Sequence, residues 1–127
     1  MPPVKKTLIL FAHGARDPQW ARPVQAVAQR LTTENPDLPV VIAFLEFMTP
    51  SLPEAIDAIV RQSGGVSQQI DILPFFIAQG GHLREEVPAM LAEIRGQHPQ
   101  LELRLLPPLG ELPSVQDAIA IAINRLI

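Results

Sequence analysis

The stretch Thr7-Leu8-Ile9-Leu10-Phe11-Ala12 decides the fold of this chain. A continuous apolar run of this length is typical of a strand that is buried on both faces, and such strands belong to parallel sheets covered by helices. Residues 18–34 follow with the periodicity of an amphipathic helix. We expect this helix to bury one stripe, made of Trp20, Val24, Val27, Ala28 and Leu31.

The same alternation of strand and helix continues to the end of the chain. Further strands are predicted at Val40–Phe44, Gln69–Leu73 and Leu101–Leu106. Strands that alternate with helices imply right-handed crossovers and a parallel sheet. The predicted fold class is therefore α/β, a three-layer sandwich with a four-stranded parallel sheet and helices on both faces.

The helices between these strands have recognisable ends. Ser51-Leu52-Pro53-Glu54 is a capping-box pattern with proline early in the helix. Gly64 and Gly65 are expected to end that helix, Gly96 to close the next one after about Arg95, and the last helix to begin near Pro113. The residues expected to face the core of the second and third helices are Leu52, Ile56, Ile59, Val60, Val87, Met90, Leu91 and Ile94.

Length and composition limit the function. The 127 residues fit one domain, residues 1–127. A net charge of −3 argues against nucleic acid as a partner. The chain has no cysteine, which excludes disulfides, thiolate metal sites and iron–sulfur clusters, so a metal ion must be held by histidine and carboxylate. No stretch reaches the ~20 apolar residues of a membrane span, and we expect a cytoplasmic protein with no membrane partner.

Two histidines and a glutamate follow three of the predicted strands. His13 comes directly after the first, Glu46 after the second and His82 after the third. Ligands of open parallel sheets bind at the carboxyl ends of the strands, so these side chains are expected at one edge of the sheet. Imidazole ligands without sulfur suit Co²⁺, Ni²⁺, Fe²⁺ or Zn²⁺. The alternatives are a His13 that caps the next helix and a solvated His82.

Glu46 is a candidate proton acceptor. It lies between Leu45 and Phe47, and apolar neighbours disfavour the charged carboxylate, which favours proton exchange near neutrality. The alternative is a carboxylate that reaches solvent from the edge of the sheet.

Other residues after the strands could hold a substrate. Arg16 and Arg84 offer forked hydrogen bonds to carboxylates, although each can equally be a surface residue. Gly80-Gly81 lets the backbone turn sharply and approach a ligand. Phe75 and Phe76 either line a pocket or belong to the core, and His98 is predicted to be a surface residue at the opposite end of the sheet.

The last predicted helix is apolar on more than one face. Packing against a second copy would explain this pattern, and deep burial within one copy is the alternative. The residues concerned are Ile119, Ile121, Ile123, Leu126 and Ile127.

Three segments together resemble the CbiX/SirB family of class II chelatases. They are Phe11–Arg16, Phe44–Glu46 with Pro50-Ser51, and Leu73–Pro88. The resemblance implies insertion of a divalent metal ion into the tetrapyrrole sirohydrochlorin, with cobalt favoured and iron or nickel left open. It implies that His13 and His82 bind the metal and that Glu46 assists removal of the pyrrole protons. It also implies a homodimer, the metal ion as substrate and no organic cofactor.

The chain departs from the family pattern at two positions. Ala15 stands where serine is common, and Glu86 stands where aspartate is common before a hydrophobic residue and proline. Because aspartate is the better helix N-cap, we expect the helix at Val87-Pro88 to start less sharply.

Two other functions are alternatives to the chelatase. A phosphatase acting through phosphorylated His13 would have arginine immediately before that histidine, where this chain has Ala12. A non-enzymatic carrier of metal or tetrapyrrole would use the two histidines without needing Glu46, and it would show stoichiometric binding without turnover.

Overall fold

The computed structural model describes residues 5–64 and 68–127. Gly65, expected to help end the second helix, and the first four residues lie outside these ranges. Within them, the strands are β1 (Lys5–Ala12), β2 (Val40–Phe44), β3 (Gln68–Pro74) and β4 (Leu101–Leu105). The helices are α1 (Arg22–Glu34), α2 (Leu52–Ser63), α3 (Gly81–Gln97) and α4 (Pro113–Leu126), with short 3₁₀ turns at Pro18–Ala21 and Leu109–Glu111.

The four strands form one parallel sheet in the order β2-β1-β3-β4. Phe11 of the central strand β1 lies opposite Ala43 of β2 and Pro74 of β3. Residues Ile9 to Ala12 are completely buried, as a strand covered on both faces requires. The predicted α/β class is confirmed.

Helices cover both faces of the sheet. Ile9 and Phe11 belong to the apolar cluster that α2 and α3 complete, whereas Leu10 and Ala12 pack with α1 on the other face. This split follows from the alternation of side chains along a strand. Of the residues predicted to face the core from α2 and α3, six are buried and Val60 and Met90 are partly buried.

The second helix begins at the predicted capping box. The Ser51 N–H donates to Glu54 Oε1 at 2.9 Å, and the Glu54 N–H donates to Ser51 Oγ at 3.3 Å. Gly64 ends the helix with φ +61°, a conformation that glycine adopts at little cost.

The third helix differs from its prediction at both ends. It begins at Gly81, so Glu86 lies in its second turn and is not an N-cap, and Pro88 is inside the helix. Gly96 does not close it, because the His98 N–H still donates to the carbonyl oxygen of Ile94 at 2.9 Å. Helical hydrogen bonds formed by the flanking residues outweigh the weak local preference of one glycine.

The first helix is also shorter than predicted. The Asp17 side chain accepts a hydrogen bond from the Gln19 N–H at 2.9 Å and begins the 3₁₀ turn that precedes α1. This turn takes Trp20 off the predicted buried stripe, and its side chain is 41% exposed.

The last helix lies over the α1 side of the sheet and buries none of its residues. The alternative of deep burial within one copy is therefore wrong, and the large aliphatic side chains of α4 are exposed. None of the helices in the described part of the chain has the length and apolarity needed to cross a membrane.

Candidate metal-binding and catalytic site

The strand order creates a crevice at the carboxyl edge of the sheet. The connection after β1 leads to α1 on one face, whereas the connection after β3 leads to α3 on the other. Loops that diverge from neighbouring strands leave a gap between them, and this gap is the usual ligand site of open α/β sheets. His13 directly follows β1, and Phe75 and Phe76 directly follow β3.

His13 and Glu46 meet at this edge. Nε2 of His13 lies 3.1 Å from Oε1 of Glu46, and each side chain is about half exposed, at 47% and 48%. The separation suits a hydrogen bond. It also suits two ligands of one divalent ion, because bonds of about 2.1 Å at roughly 90–110° place donor atoms about 3.0–3.4 Å apart.

Backbone hydrogen bonds fix the two loops that carry this pair. The Leu45 N–H donates to the Ala12 carbonyl oxygen at 2.9 Å, and the Glu46 N–H donates to the His13 carbonyl oxygen at 3.1 Å. Gly14 has φ +94°, and a Cβ atom there would overlap the carbonyl oxygen of Glu46. Glycine is therefore required where the two loops touch.

The surroundings of Glu46 differ from the prediction. Leu45 packs against the core, but Phe47 is 59% exposed and the Glu46 carboxylate is open to solvent. Of the two interpretations of Glu46, the apolar environment is wrong and the carboxylate that reaches solvent is confirmed. The feature of Glu46 that favours a role as proton acceptor is its contact with His13.

Phe76 supports the His13 ring from the β3 side. The two rings meet edge to face with centroids 6.2 Å apart, and Phe76 in turn packs against Phe11 at 6.1 Å. Phe76 is 8% exposed and belongs to the core. A rigid aromatic support limits the orientations open to the imidazole.

Both phenylalanines after β3 also line an apolar cavity of about 360 Å³ at the same edge. Its volume falls within the usual range of small-molecule sites. The lining residues are Gln19, Trp20, Pro23, Val24, Phe75, Phe76, Ile77 and Leu109.

His82 forms a second pair with a carboxylate. Its Nε2 lies 3.7 Å from Oε1 of Glu86, one helical turn further along α3, and the His82 side chain is 90% exposed. Within residues 5–64 and 68–127, no three histidine or acidic side chains come together in a group able to hold a metal ion. The contacts His13–Glu46 and His82–Glu86 are thus two separate histidine–carboxylate pairs.

The remaining predicted site residues lie around these pairs. Arg84 is exposed in the first turn of α3. Gly80 is the N-cap of α3 with φ −69°, so it makes no turn that only glycine allows, contrary to the prediction. A Cβ atom at Gly80 or Gly81 would meet nothing within 4 Å, and no side chain caps this helix. The Arg16 guanidinium lies 5.1 Å from the centroid of the Phe47 ring.

Two residues of the site were not singled out from the sequence. Gly14 could have been found, since glycine directly after a strand-end histidine suggests a close backbone approach. Phe47 carries no such signal, because a bulky side chain rarely has the positive φ of 67° that it shows here.

The family model of CbiX matches residues 7–126 of this chain. The chain therefore belongs to the CbiX family. It is 30% identical over 89 residues to the sirohydrochlorin cobaltochelatase of Methanococcus aeolicus, an alignment that covers 70% of this chain and 60% of the relative. The alignments with this relative and with two further curated sirohydrochlorin cobaltochelatases span about three fifths of their length.

Solved structures show the same fold. A CbiX protein from Marinobacter aquaeolei VT8 superposes with a TM-score of 0.80 at 30% identity, covering 94% of this chain and 95% of the other. The sirohydrochlorin chelatase SirB from Bacillus subtilis subspecies spizizenii, solved in complex with cobalt, gives a TM-score of 0.78 at 20% identity. That match covers 96% of this chain but 51% of the SirB chain.

Proposed function

We propose that this chain is a metal chelatase that inserts a divalent ion into sirohydrochlorin, with cobalt as the first candidate and iron or nickel as alternatives. The observation that carries the proposal is the His13–Glu46 pair at the carboxyl edge of a CbiX-family sheet. The cobaltochelatase names of the curated relatives support cobalt.

The half-exposed pair suits an ion that must be received and then released. An imidazole and a carboxylate are borderline and hard ligands that accept several late divalent ions. Two protein ligands with open positions hold an ion less firmly than a closed cage of four. We assign metal binding to His13 and His82, and the geometry leaves Glu46 close enough to join His13 as a ligand.

Insertion also requires proton removal. Two pyrrole N–H bonds break as the ion enters the ring, and the two protons must leave as the metal–nitrogen bonds form. Glu46, in contact with His13 and open to solvent, is the group that we assign to accept a proton and pass it to water. Glu86, beside His82, is the next candidate acceptor.

The substrate would lie across the crevice. The cavity next to Phe75 and Phe76 offers an apolar wall for a flat macrocycle. Arg16 and Arg84 are exposed at the same edge and can meet its acidic side arms. The uncapped N–H groups that follow Gly80 and Gly81 can donate hydrogen bonds to a further carboxylate of the substrate.

The test is spectroscopic. The protein is mixed with sirohydrochlorin and Co²⁺, Fe²⁺ or Ni²⁺ in turn, and loss of the metal-free absorption spectrum gives the rate. His13→Ala and His82→Ala should abolish or sharply reduce turnover, whereas His98→Gln should not, because His98 bonds to Asp57 of α2 at 2.8 Å. Stoichiometric binding without turnover would instead indicate a carrier. Insertion rates of His13→Ala and His82→Ala that equal the wild-type rate would refute the assignment of these histidines as metal ligands.

His98 makes a sound control although it was predicted to be a surface residue. Its side chain is 18% exposed and joins α2 to the loop after α3. Loss of this contact would affect stability and not the site, so the stability of the variant is measured alongside its rate.

We further propose that the chain works as a homodimer, the single domain of one copy facing that of the other. The helix α4 buries none of its residues, and with α1 it borders an apolar groove of about 480 Å³. The chain also covers 51% of SirB, so that two copies have about the size of one SirB chain. A second copy would supply the wall that one open edge lacks.

The dimer contact can be tested within α4. At 100° per residue, Ile119, Ile123 and Leu126 share one stripe, whereas Ile121 lies on the far side of the helix from Ile123. Ile121 and Ile123 are 53% and 51% exposed, so they form a matched pair. Light scattering should give twice 13.9 kDa for the wild type and Ile121→Glu, and a monomer for Ile123→Glu. A wild-type monomer that inserts metal would refute the dimer.

The cytoplasmic location remains a prediction from the sequence.

A further inference from the structure

Phe47 is the strained residue of the site. Its φ is +67°, and the Met48 N–H donates to the Glu46 carbonyl oxygen at 2.8 Å across it. A hydrogen bond from residue i+2 to residue i over a positive central φ defines the rarer and more strained form of the γ-turn. Strain of this kind in a bulky residue persists when the surrounding structure holds it, and it concentrates at functional sites.

The ring of Phe47 does not contribute to the buried core. It is 59% exposed, whereas Phe11, Phe44 and Phe76 are all buried. Its close partner is Arg16, whose guanidinium carbon lies 5.1 Å from the ring centroid, a distance typical of cation–π contacts. Burial of the ring therefore does not explain why the chain keeps a phenylalanine in this conformation.

Arg16 and Phe47 join the two loops that carry the reacting pair. Arg16 lies three residues after His13, and Phe47 directly follows Glu46. Among the described residues, no carboxylate pairs with Arg16, so its N–H groups remain available to a ligand. The guanidinium carbon lies over the ring, and this contact restricts the positions that the Arg16 N–H donors can take.

We propose that Phe47 is a positioning residue, which uses its strained turn and its ring to hold the Arg16 guanidinium beside Glu46 as a receptor for a carboxylate of the substrate. The proposal rests on the proposed function for the identity of the substrate. It extends that function by naming the residue that orients the anion receptor relative to the proton acceptor.

The experiment measures the affinity for metal-free sirohydrochlorin by absorbance titration, so it does not depend on turnover. Phe47→Gly removes the ring and tolerates the positive φ. Phe47→Tyr keeps an aromatic ring over Arg16. Arg16→Ala removes the receptor, and Arg30→Ala, at an exposed position of α1, controls for loss of one positive charge.

We expect Phe47→Gly to raise Kd by about two- to fivefold, the size of an exposed cation–π contact. Arg16→Ala should raise Kd by roughly tenfold or more, since a charge-assisted contact is lost. The tyrosine variant and Arg30→Ala should bind like the wild type. In the Arg16→Ala background, the further change Phe47→Gly should have no effect, because the ring acts through Arg16.

Thermal unfolding provides a second readout. Relief of the strained turn should leave the midpoint of Phe47→Gly within about 3 °C of the wild type. A much lower midpoint would show that Phe47 is a structural residue, and an unchanged Kd, or additive effects in the double variant, would overturn the proposal. A wild type that binds sirohydrochlorin but inserts no ion would refute the proposed function while leaving the test of Phe47 intact. A wild type that binds no sirohydrochlorin would overturn both.

Discussion

Two ion-pair clusters, one inside the sheet and one at its carboxyl edge, show opposite designs. Asp71 of β3 is 2% exposed and accepts hydrogen bonds from Arg104 at 2.7 and 3.0 Å, from Lys6 at 3.0 Å and from Gln69 at 3.1 Å. Glu46 at the edge is half exposed, with His13 as its partner. The inner carboxylate has every acceptor position occupied, whereas the outer one keeps positions open for a metal ion or a proton.

The electrostatics follow the same division. Burial raises the pKa of Asp71, but the hydrogen bonds from Arg104, Gln69 and Lys6 and the charge of Lys6 outweigh burial and lower this pKa from 3.8 to about 2. A permanently charged, fully bonded carboxylate is useful for folding and unsuited to proton transfer. The fully hydrogen-bonded carboxylate of Asp71 therefore stabilises the sheet. The carboxylate of Glu46, which has fewer partners, lies at the edge where we propose that the reaction takes place.

The largest expected effect concerns the outer cluster. Glu46→Gln keeps the size and hydrogen-bonding reach of the side chain but removes its basicity. If Glu46 accepts pyrrole protons, the insertion rate should fall by roughly 10²–10⁴-fold. The free energy of unfolding should stay within about 0.5 kcal/mol of the wild type, as for other exposed substitutions.

Calorimetry with Co²⁺ refines this prediction. A cobalt affinity close to that of the wild type would identify Glu46 as the base, since both histidines remain. An affinity that falls as far as in His13→Ala would identify it as a ligand. A variant with an unchanged rate and affinity would contradict both roles.

Gly14→Ala should affect folding and function together. The new Cβ atom would overlap the Glu46 carbonyl oxygen, and φ +94° is strained for alanine. We expect destabilisation by roughly 2–4 kcal/mol and a lower insertion rate, because the loops of His13 and Glu46 must separate. Gly96→Ala, inside α3 with open space beside it, is the control and should be neutral or stabilising in urea unfolding. Equal stability of the two variants would show that the loop contact is unimportant.

Asp71→Asn should lower the free energy of unfolding and leave the insertion rate unchanged, which is the reverse of what we expect for Glu46→Gln. The loss of charge leaves Arg104 and Lys6 with a weaker acceptor, and we expect destabilisation by about 1–3 kcal/mol in urea unfolding. Both cations are about half exposed, which keeps the loss below that of a fully buried pair. The insertion rate per folded molecule should be unchanged, and a large fall in it would break the division between the two clusters.

Acid should remove the contribution of the Asp71 charge to the stability of the wild type. Because the pKa of Asp71 is lower in the folded chain than its ordinary value of 3.8, its stabilisation is present above about pH 4 and is lost as the pH falls to about 2. The shift corresponds to roughly 2 kcal/mol. The free energy of unfolding, measured between pH 5 and pH 2, should fall by this amount in the wild type and by less in Asp71→Asn. An equal fall in the two proteins would contradict the stabilising role of the Asp71 charge.

Local sequence determined the elements of this fold. The uncharged run at 7–12 is typical of a strand buried on both faces, and Ser51 with Glu54 sets the start of α2 through contacts three residues apart. The parallel direction of the strands placed His13 and Glu46 at the same edge of the sheet. These features were predictable because they depend on periodicity, capping and the direction of parallel strands.

The predicted ends of the third helix were wrong because local signals in the sequence compete with one another. The helical hydrogen bonds around Gly96 continued through a residue that often ends helices, and α3 began at Gly81 although Pro88 suggested a later start. The sequence left open whether Glu46 is surrounded by apolar side chains or reaches solvent, because its burial depends on the direction in which the chain leaves β2.

The pattern of residues predicts an α/β sheet with histidine and glutamate at its carboxyl edge. The packed structure adds that His13 pairs with Glu46 and that Phe47 adopts a strained turn next to Arg16, while His82 and Glu86 meet one turn apart because α3 begins at Gly81. The difference comes from the sequence distance over which each interaction acts. Periodicity and capping act between residues a few positions apart, whereas the contacts of His13 with Glu46 and of Arg16 with Phe47 depend on how loops distant in sequence pack against one another.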